Sequence, residues 1–340
     1  MPSEEEQDRI RLDLMLRGFE VSRLLRLVAD LEVADAIDPE GSMPIDDLAD
    51  RCGVLREPLL RVVRALAASG VFRMTADGVV THTSLSRLLR IDVPNSLYHS
   101  ARFWTAPGSW RAWGMLDAAL TGEVPHEVAW QQGRFEYLRD HPDEARVFDQ
   151  MMVSFPDNRH PAFAAAYDFS AAALIVDVGG GNGETLRQIL GRFPTPRGLL
   201  FDRDDVVAAI VSDALSHGRI ATRAGSFFDA VPGGGDMYLL IRVLHDWPDA
   251  DCVRILRSCR AAMEPHAVLL VGEQILEPDP AKGDVIGYLM DMQMMAMFGG
   301  AKERTAAEFE TLFTESGFAI RRIIETASPA SLIEATPVSR

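Results

Sequence analysis

The run Leu174-Ile-Val-Asp177-Val-Gly179-Gly-Gly-Asn-Gly183-Glu184 constrains the fold more than any other stretch of the chain. A short apolar run carries an acid, four glycines fall among the next five residues, and helical spacing begins near Glu184. That order predicts a buried parallel strand, a tight turn and a helix N-terminus. Glycine lets backbone approach a ligand closely, and the free N–H groups of a helix start favour an anionic group.

The sequence after this run alternates. Strands are expected near 174–178, 198–201, 220–224, 237–241 and 267–271, with helices at about 184–191, 204–216 and 249–263. Such alternation predicts a parallel, doubly wound α/β sheet whose ligands bind at the carboxyl ends of the strands. Pro278, Pro280 and Gly283 precede a Met-rich helix, Asp291–Phe298, which Gly299-Gly300 ends. Thr305-Ala-Ala-Glu308 has the spacing of a capping box, and strands near 319–325 and 330–335 close the sheet.

Upstream, residues 1–10 read as a charged, frayed start. Apolar residues then recur at helical spacing from Leu12 to about Ile37. Two short helices around Gly53, the second from Glu57 to Ser69, are followed by β-prone runs at Val71–Met74 and Val79–Thr83 that flank Asp77-Gly78. Together they predict a winged helix over roughly 10–95. Residues 96–165 read as helical and hold Phe103, Trp104, Trp110, Trp113, Met115, Trp130, Phe135, Tyr137, Phe148, Met151, Met152 and Phe155. These either fill a core or line an apolar pocket for an aromatic ligand.

The length of 340 residues suits two domains of about 150 residues each. The net charge of −16 opposes nonspecific binding to a phosphate backbone. The second helix of the winged motif offers Arg61 and Arg64 but little else that could read base edges, so no nucleic-acid partner is expected. Three cysteines without metal-type spacing predict no disulfide and no zinc. The acidic start and the lack of a long apolar run predict a cytoplasmic protein without a membrane span.

Which ligand the glycines hold follows from their spacing. The NAD fingerprint needs Gly-x-Gly-x-x-Gly, and Glu184 or Leu186 stands where the third glycine belongs. Asp177, Gly179, Gly181 and Gly183 instead resemble the Asp-x-Gly-x-Gly-x-Gly pattern of S-adenosylmethionine (SAM) enzymes. Asp202 ends the next strand, where a carboxylate can accept both ribose hydroxyls. His245 follows the fourth strand, with Asp246 beside it, and Glu273 follows the fifth at the same edge.

Five motifs then carry a resemblance over nearly the whole chain. They are Ala166-Tyr-Asp-Phe169, Val176-Asp-Val-Gly-Gly-Gly-Asn-Gly183, Gly225-Ser-Phe-Phe-Asp229, Leu244-His-Asp-Trp247 and Gly299-Gly-Ala-Lys-Glu-Arg-Thr305. The sequence resembles the SAM-dependent O-methyltransferases of the caffeic-acid type, and within them the bacterial branch that tailors aromatic antibiotics. The resemblance implies a Rossmann-like class I methyltransferase sheet with an N-terminal winged-helix dimerisation domain. It implies three regions: dimerisation over 1–95, a helical linker and substrate lid over 96–165, and SAM-binding catalysis over 166–340. It also implies a homodimer.

By position, the resemblance lays Gly179 and Gly181 against the methionyl end of SAM and gives the ribose to Asp202. Ser226 and Phe227 flank the adenine, with Trp247 nearby. His245 is the base, steered by Glu273 and Glu303, and Asp246 lies close to the substrate. Phe148 and Met152 clamp the acceptor ring. Two positions depart from the family pattern. Ser226 stands where Asp is common, and Ile241 stands where Lys is common, with Arg242 beside it as a substitute SAM contact that strand alternation would point the other way.

The expected reaction moves a methyl from SAM to a phenolic hydroxyl of an aromatic metabolite, without a metal, and leaves S-adenosyl-L-homocysteine. A relative with altered chemistry (decarboxylation, hydroxylation or N-methylation) and a DNA-binding regulator are the alternatives. The intact His245, Glu273 and Glu303 weigh against altered chemistry and, with the net charge, against the regulator.

Overall fold

The computed structural model describes residues 3–154, 158–210, 215 and 218–338. They form two compact units, one from residues 1–116 and 126–156, the other from 117–125 and 157–340.

The first unit opens on a helix, Glu4–Leu16, where the sequence suggested a frayed start. The Ser3 side chain accepts from Glu6 N, and Glu4, Glu5 and Glu6 complement the positive end of the helix. The single helix expected to about Ile37 is three: Glu4–Leu16, Gly18–Asp30 and Val33–Ala36. Gly18 follows the first break, and Glu32 at φ +51° makes the second. Helices Ile45–Cys52 and Arg56–Ala68 come next. Leu59, Leu60, Val63 and Leu66 line one face of the latter and are buried with Val33, Ile37, Leu48 and Val80. The expected hairpin is strands β2 (Phe72–Met74) and β3 (Val79–His82). A strand the sequence did not suggest, β1 (Ser42–Pro44), pairs with β3 on its other side.

Further helices complete this unit, among them Tyr98–Trp104, Pro107–Trp113, Arg134–Asp140 and Pro142–Ser154. Phe103, Tyr137 and Met151 are buried, whereas Trp110, Met115, Phe135 and Met152 are exposed. The aromatic-rich region is therefore only partly core. Phe155 lies outside the described residues.

The second unit holds an eight-stranded sheet. Its strands are β4 (Leu174–Val178), β5 (Arg197–Asp202), β6 (Ile220–Ala224), β7 (Met237–Ile241), β8 (Val268–Leu276), β9 (Arg304–Thr305), β10 (Phe318–Ile324) and β11 (Ala330–Pro337). The main order is β10-β11-β8-β7-β4-β5-β6, and β9 adds to β8. Strands β4 to β9 pair parallel, while β10 and β11 pair antiparallel. Neighbouring residues bury opposite faces. Ile175, Leu239 and Leu270 pack with Leu186 and Ile189, while Val176, Leu240 and Leu269 pack with Ile255 and Phe313. Burial on both faces is why these strands read as unbroken apolar runs. The helix expected over 204–216 is described only as Asp204–Ala208; residues 211–214 and 216 lie outside the described residues.

From β4 the chain winds outwards to β5 and β6, then returns to β7 and β8 on the other side. The reversal falls between β4 and β7. Their carboxyl ends form the crevice in which such sheets bind ligands.

Candidate active site

Three loops meet the sheet at that edge. The first leaves β4. Gly179 has φ +72°, and a Cβ there would lie 2.9 Å from Val243 Cγ2. Only glycine satisfies both demands at once. Gly181 N donates to Asp202 Oδ2 at 2.9 Å, which ties the glycine loop to the end of β5. A Cβ on Gly181 would meet open space. A half-buried carboxylate, bent backbone and free volume thus adjoin, which suits a nucleoside with an amino-acid tail. Asp202 Oδ1 also accepts from Arg203 N at 2.7 Å.

Asp177, within β4, is buried, and neither of its oxygens has a hydrogen-bond partner. Burial, and secondarily the Asp202 charge, push its carboxyl up to about 7. The sequence offered Asp177 only as a motif letter.

The second loop follows β6. Ser226 Oγ accepts from Phe228 N at 3.2 Å. Phe227 lies edge-on to Trp247, with centroids 5.8 Å apart, and Phe228 does likewise at 4.8 Å. The Gly179 Cβ position is 3.8 Å from Phe227 Cε1. Glycine loop, Phe227 and Trp247 therefore form one continuous wall.

The third loop follows β7 and carries His245 on a short turn, Leu244–Asp246. His245 Nδ1 is 3.1 Å from Glu303 Oε1, and Nε2 is 3.2 Å from Asp246 Oδ1. Burial and the Arg242 charge pull the imidazole pKa down, but Asp246, Glu273 and Glu303 outweigh them and hold it above the ordinary 6.5. Glu303 is buried, yet Arg242 and His245 keep it ionised, far below the usual carboxylate range.

Two expected roles differ from the geometry. Glu273 was expected to steer the imidazole directly. Its Oε1 instead accepts from Val243 N at 3.0 Å and Leu244 N at 2.8 Å, so it builds the turn beneath His245. Arg242 was expected to reach SAM. Its guanidinium instead pairs with Glu273 and Glu303. The left-handed φ of +56° at Arg242 ends the strand alternation there, so alternation does not set where this side chain points.

Arg304 was missed. It is fully buried and donates to Leu244 O at 2.9 Å, Trp247 O at 2.8 Å and Asp249 Oδ1 at 2.8 Å. Lys302 N donates to His245 O at 3.0 Å. The Lys-Glu-Arg segment thus fastens the His-Asp-Trp turn, and only its place in a motif hinted at this. Phe148 and Met152 both lie on Pro142–Ser154 of the first unit; Phe148 packs at 5.7 Å from Phe103, and Met152 is exposed.

The ligand atoms of His245, Glu273 and Glu303 lie within 4.8 Å of one another, a spacing a metal could use. Their donors are already committed. Arg242 sits on both carboxylates and two backbone amides occupy Glu273, so the set does not fit an ion. No described helix is long and apolar enough to cross a membrane.

Sequence profiles of known families match two parts of the chain. An O-methyltransferase domain matches residues 113–319, and an O-methyltransferase dimerisation domain matches residues 14–92. The chain belongs to this O-methyltransferase family. It is a SAM-dependent O-methyltransferase with a Rossmann-like catalytic fold. It is 38% identical to the phenazine O-methyltransferase of Lysobacter antibioticus, over 95% of each chain. The mitomycin 7-O-methyltransferase structure matches with a TM-score of 0.89 at 32% identity, over 98% of each chain. An O-methyltransferase of neocarzinostatin biosynthesis, solved with SAM and 2-hydroxy-5-methyl naphthoic acid, matches with a TM-score of 0.78 at 31% identity, over 93% of this chain and 96% of that one.

Proposed function

We propose that this O-methyltransferase methylates a phenolic hydroxyl of an aromatic secondary metabolite, with His245 as general base. The observation that carries the reading is the His245–Glu303 contact, 3.1 Å long and buried, at the sheet edge that also holds Asp202 and the glycine loop. Relatives named for phenazine and mitomycin pathways, and one solved with a naphthoic acid, support the substrate class.

SAM, when bound, supplies a methyl group on a positive sulfonium. Gly179, Gly181 and Asp202 hold it, with Ser226, Phe227 and Trp247 around the adenine. A phenol has a pKa near ~10 and is mostly protonated at neutral pH. His245 Nε2 takes that proton once the hydroxyl displaces Asp246 from it. Glu303 fixes the tautomer through Nδ1 and stabilises the imidazolium, as an acid does in a catalytic triad. The dimerisation domain supports a homodimer as the working form.

The test is transfer of labelled methyl from SAM to a panel of phenolic metabolites. The wild type is expected to label one or more of them. His245→Ala should keep its SAM Kd and lose kcat by roughly 10²- to 10⁴-fold. An unchanged kcat would remove His245 from the base role.

A further inference from the structure

Arg242 holds a backbone conformation, φ +56°, that glycine usually occupies. A side chain kept there against that preference is one the surrounding structure needs. The turn sends the guanidinium onto both buried acids. It reaches Glu273 Oε2 at 3.2 Å, Glu303 Oε2 at 3.1 Å and Glu303 Oε1 at 2.8 Å. Glu303 Oε1 is also the atom that faces His245 Nδ1.

We propose that Arg242 is a positioning residue for methyl transfer: its fork bridges Glu273 and Glu303, pins Glu303 against His245 and cancels one of two buried negative charges. The inference rests on His245 as the base. The counting of charge gives it its force. Two carboxylates against one guanidinium leave one negative charge at the imidazole. The positive charge gained on taking a proton then offsets the charge left by these two acids, with Asp246 at Nε2 a further negative group. Without Arg242, both buried carboxylates would stand uncompensated beside Asp246 and hold His245 protonated to higher pH, where it cannot accept a proton.

The other groups around the cluster do not replace this function. Asp246 lies on Nε2 and adds negative charge. Asp291, from the helix Val285–Phe298, accepts from Glu303 N at 2.9 Å and brings no cation. Arg304 and Lys302 turn their side chains to Asp249. Among the described residues, Arg242 is the cation paired with these two acids. Lysine could keep the charge but has no planar fork to span both carboxylates.

Two variants of the full chain test this, each read by kcat, by SAM Kd from calorimetry and by the pH profile of kcat/KM. Arg242→Met should lower kcat by about 10²-fold. Its acid limb should move to higher pH, with SAM Kd unchanged. Arg242→Lys should keep the wild-type acid limb and still lose kcat by about 10-fold. A Met variant with an unmoved limb overturns the charge role, and a Lys variant with full kcat overturns the fork. A loss of SAM affinity at normal kcat makes Arg242 a donor contact instead and also overturns the proposal. If Arg242→Met does not fold, the kcat of Arg242→Lys decides. Failure of the base reading itself would show elsewhere, as undiminished turnover in His245→Ala.

Discussion

Asp177 shows how much one residue of a motif can carry. It is a carboxyl inside a sheet, its oxygens have no hydrogen-bond partner, and Asp202 lies near enough to oppose its charge. The sheet can bury it cheaply only as the neutral acid. An ordinary aspartate near 3.8 has here been pushed to about 7. Below the lower value the acid is protonated whether the chain is folded or not. Between the two the unfolded chain gives up a proton that the folded chain keeps, so stability falls as pH rises through that window. Above about 7 the loss is complete, and at about 1.36 kcal/mol per pH unit it is on the order of 4 kcal/mol. Asp177→Asn keeps the shape and cannot ionise. The melting temperature of ligand-free Asp177→Asn, minus that of the wild type, should therefore rise by several degrees from pH 5 to pH 8. A difference that stays flat across that range would mean that Asp177 ionises without cost.

Among the elements, the short connection after Gly300 holds Glu303 in place. β9 pairs with Ile275 and Leu276 of β8, and the helix Ala306–Glu315 begins directly after it. Thr305 Oγ1 accepts from Glu308 N at 3.3 Å, and Glu308 Oε2 accepts from Thr305 N at 2.8 Å. This capping box was legible as Thr305-Ala-Ala-Glu308, because a cap is local and its partners are three residues apart. Thr305→Ala should cost about 1 kcal/mol and lower the melting temperature by about 2–4 °C. Thr305→Ser should restore it, and a Thr305→Ala protein that melts as the wild type would show the cap to be idle. The parallel strands were legible for a similar reason, since burial on both faces leaves one continuous apolar signal. What escaped the sequence was non-local or conformational. Glu303 and His245 are 58 positions apart, and family resemblance, not spacing, joined them. The hold of Arg304 on the His-Asp-Trp turn has no periodicity to reveal it. The Arg242 pairing escaped because its place beside the family's usual lysine suggested a SAM contact, and no sequence pattern signals the left-handed backbone that turns the side chain. The breaks at Gly18 and Glu32 were hidden by apolar spacing that continues across them.

At the scale of the whole molecule, the helix Glu4–Leu16 is not explained by one chain. None of its residues is buried. Ile10, Leu12, Leu14, Met15 and Leu16 are all exposed, and Phe19 just beyond is 58% exposed. Large apolar side chains left exposed in such number along one short segment mark a site of association. The dimerisation-domain match begins at residue 14, inside this same helix. A second copy of the chain is the occupant that fits both facts, since an interface between two copies can bury like against like. Light scattering on the eluting protein should then give twice the chain mass of 37.5 kDa. Leu12→Glu combined with Leu16→Glu, one helical turn apart, places charges on one side of this helix without touching the core of the first unit. The double variant should stay folded by circular dichroism and raise the dimer Kd by at least about 10-fold, since desolvating one unpaired charge costs more than the roughly 1.4 kcal/mol this represents. A double variant that remains as firmly dimeric as the wild type would move the interface to another surface and leave the exposure of this helix without a function.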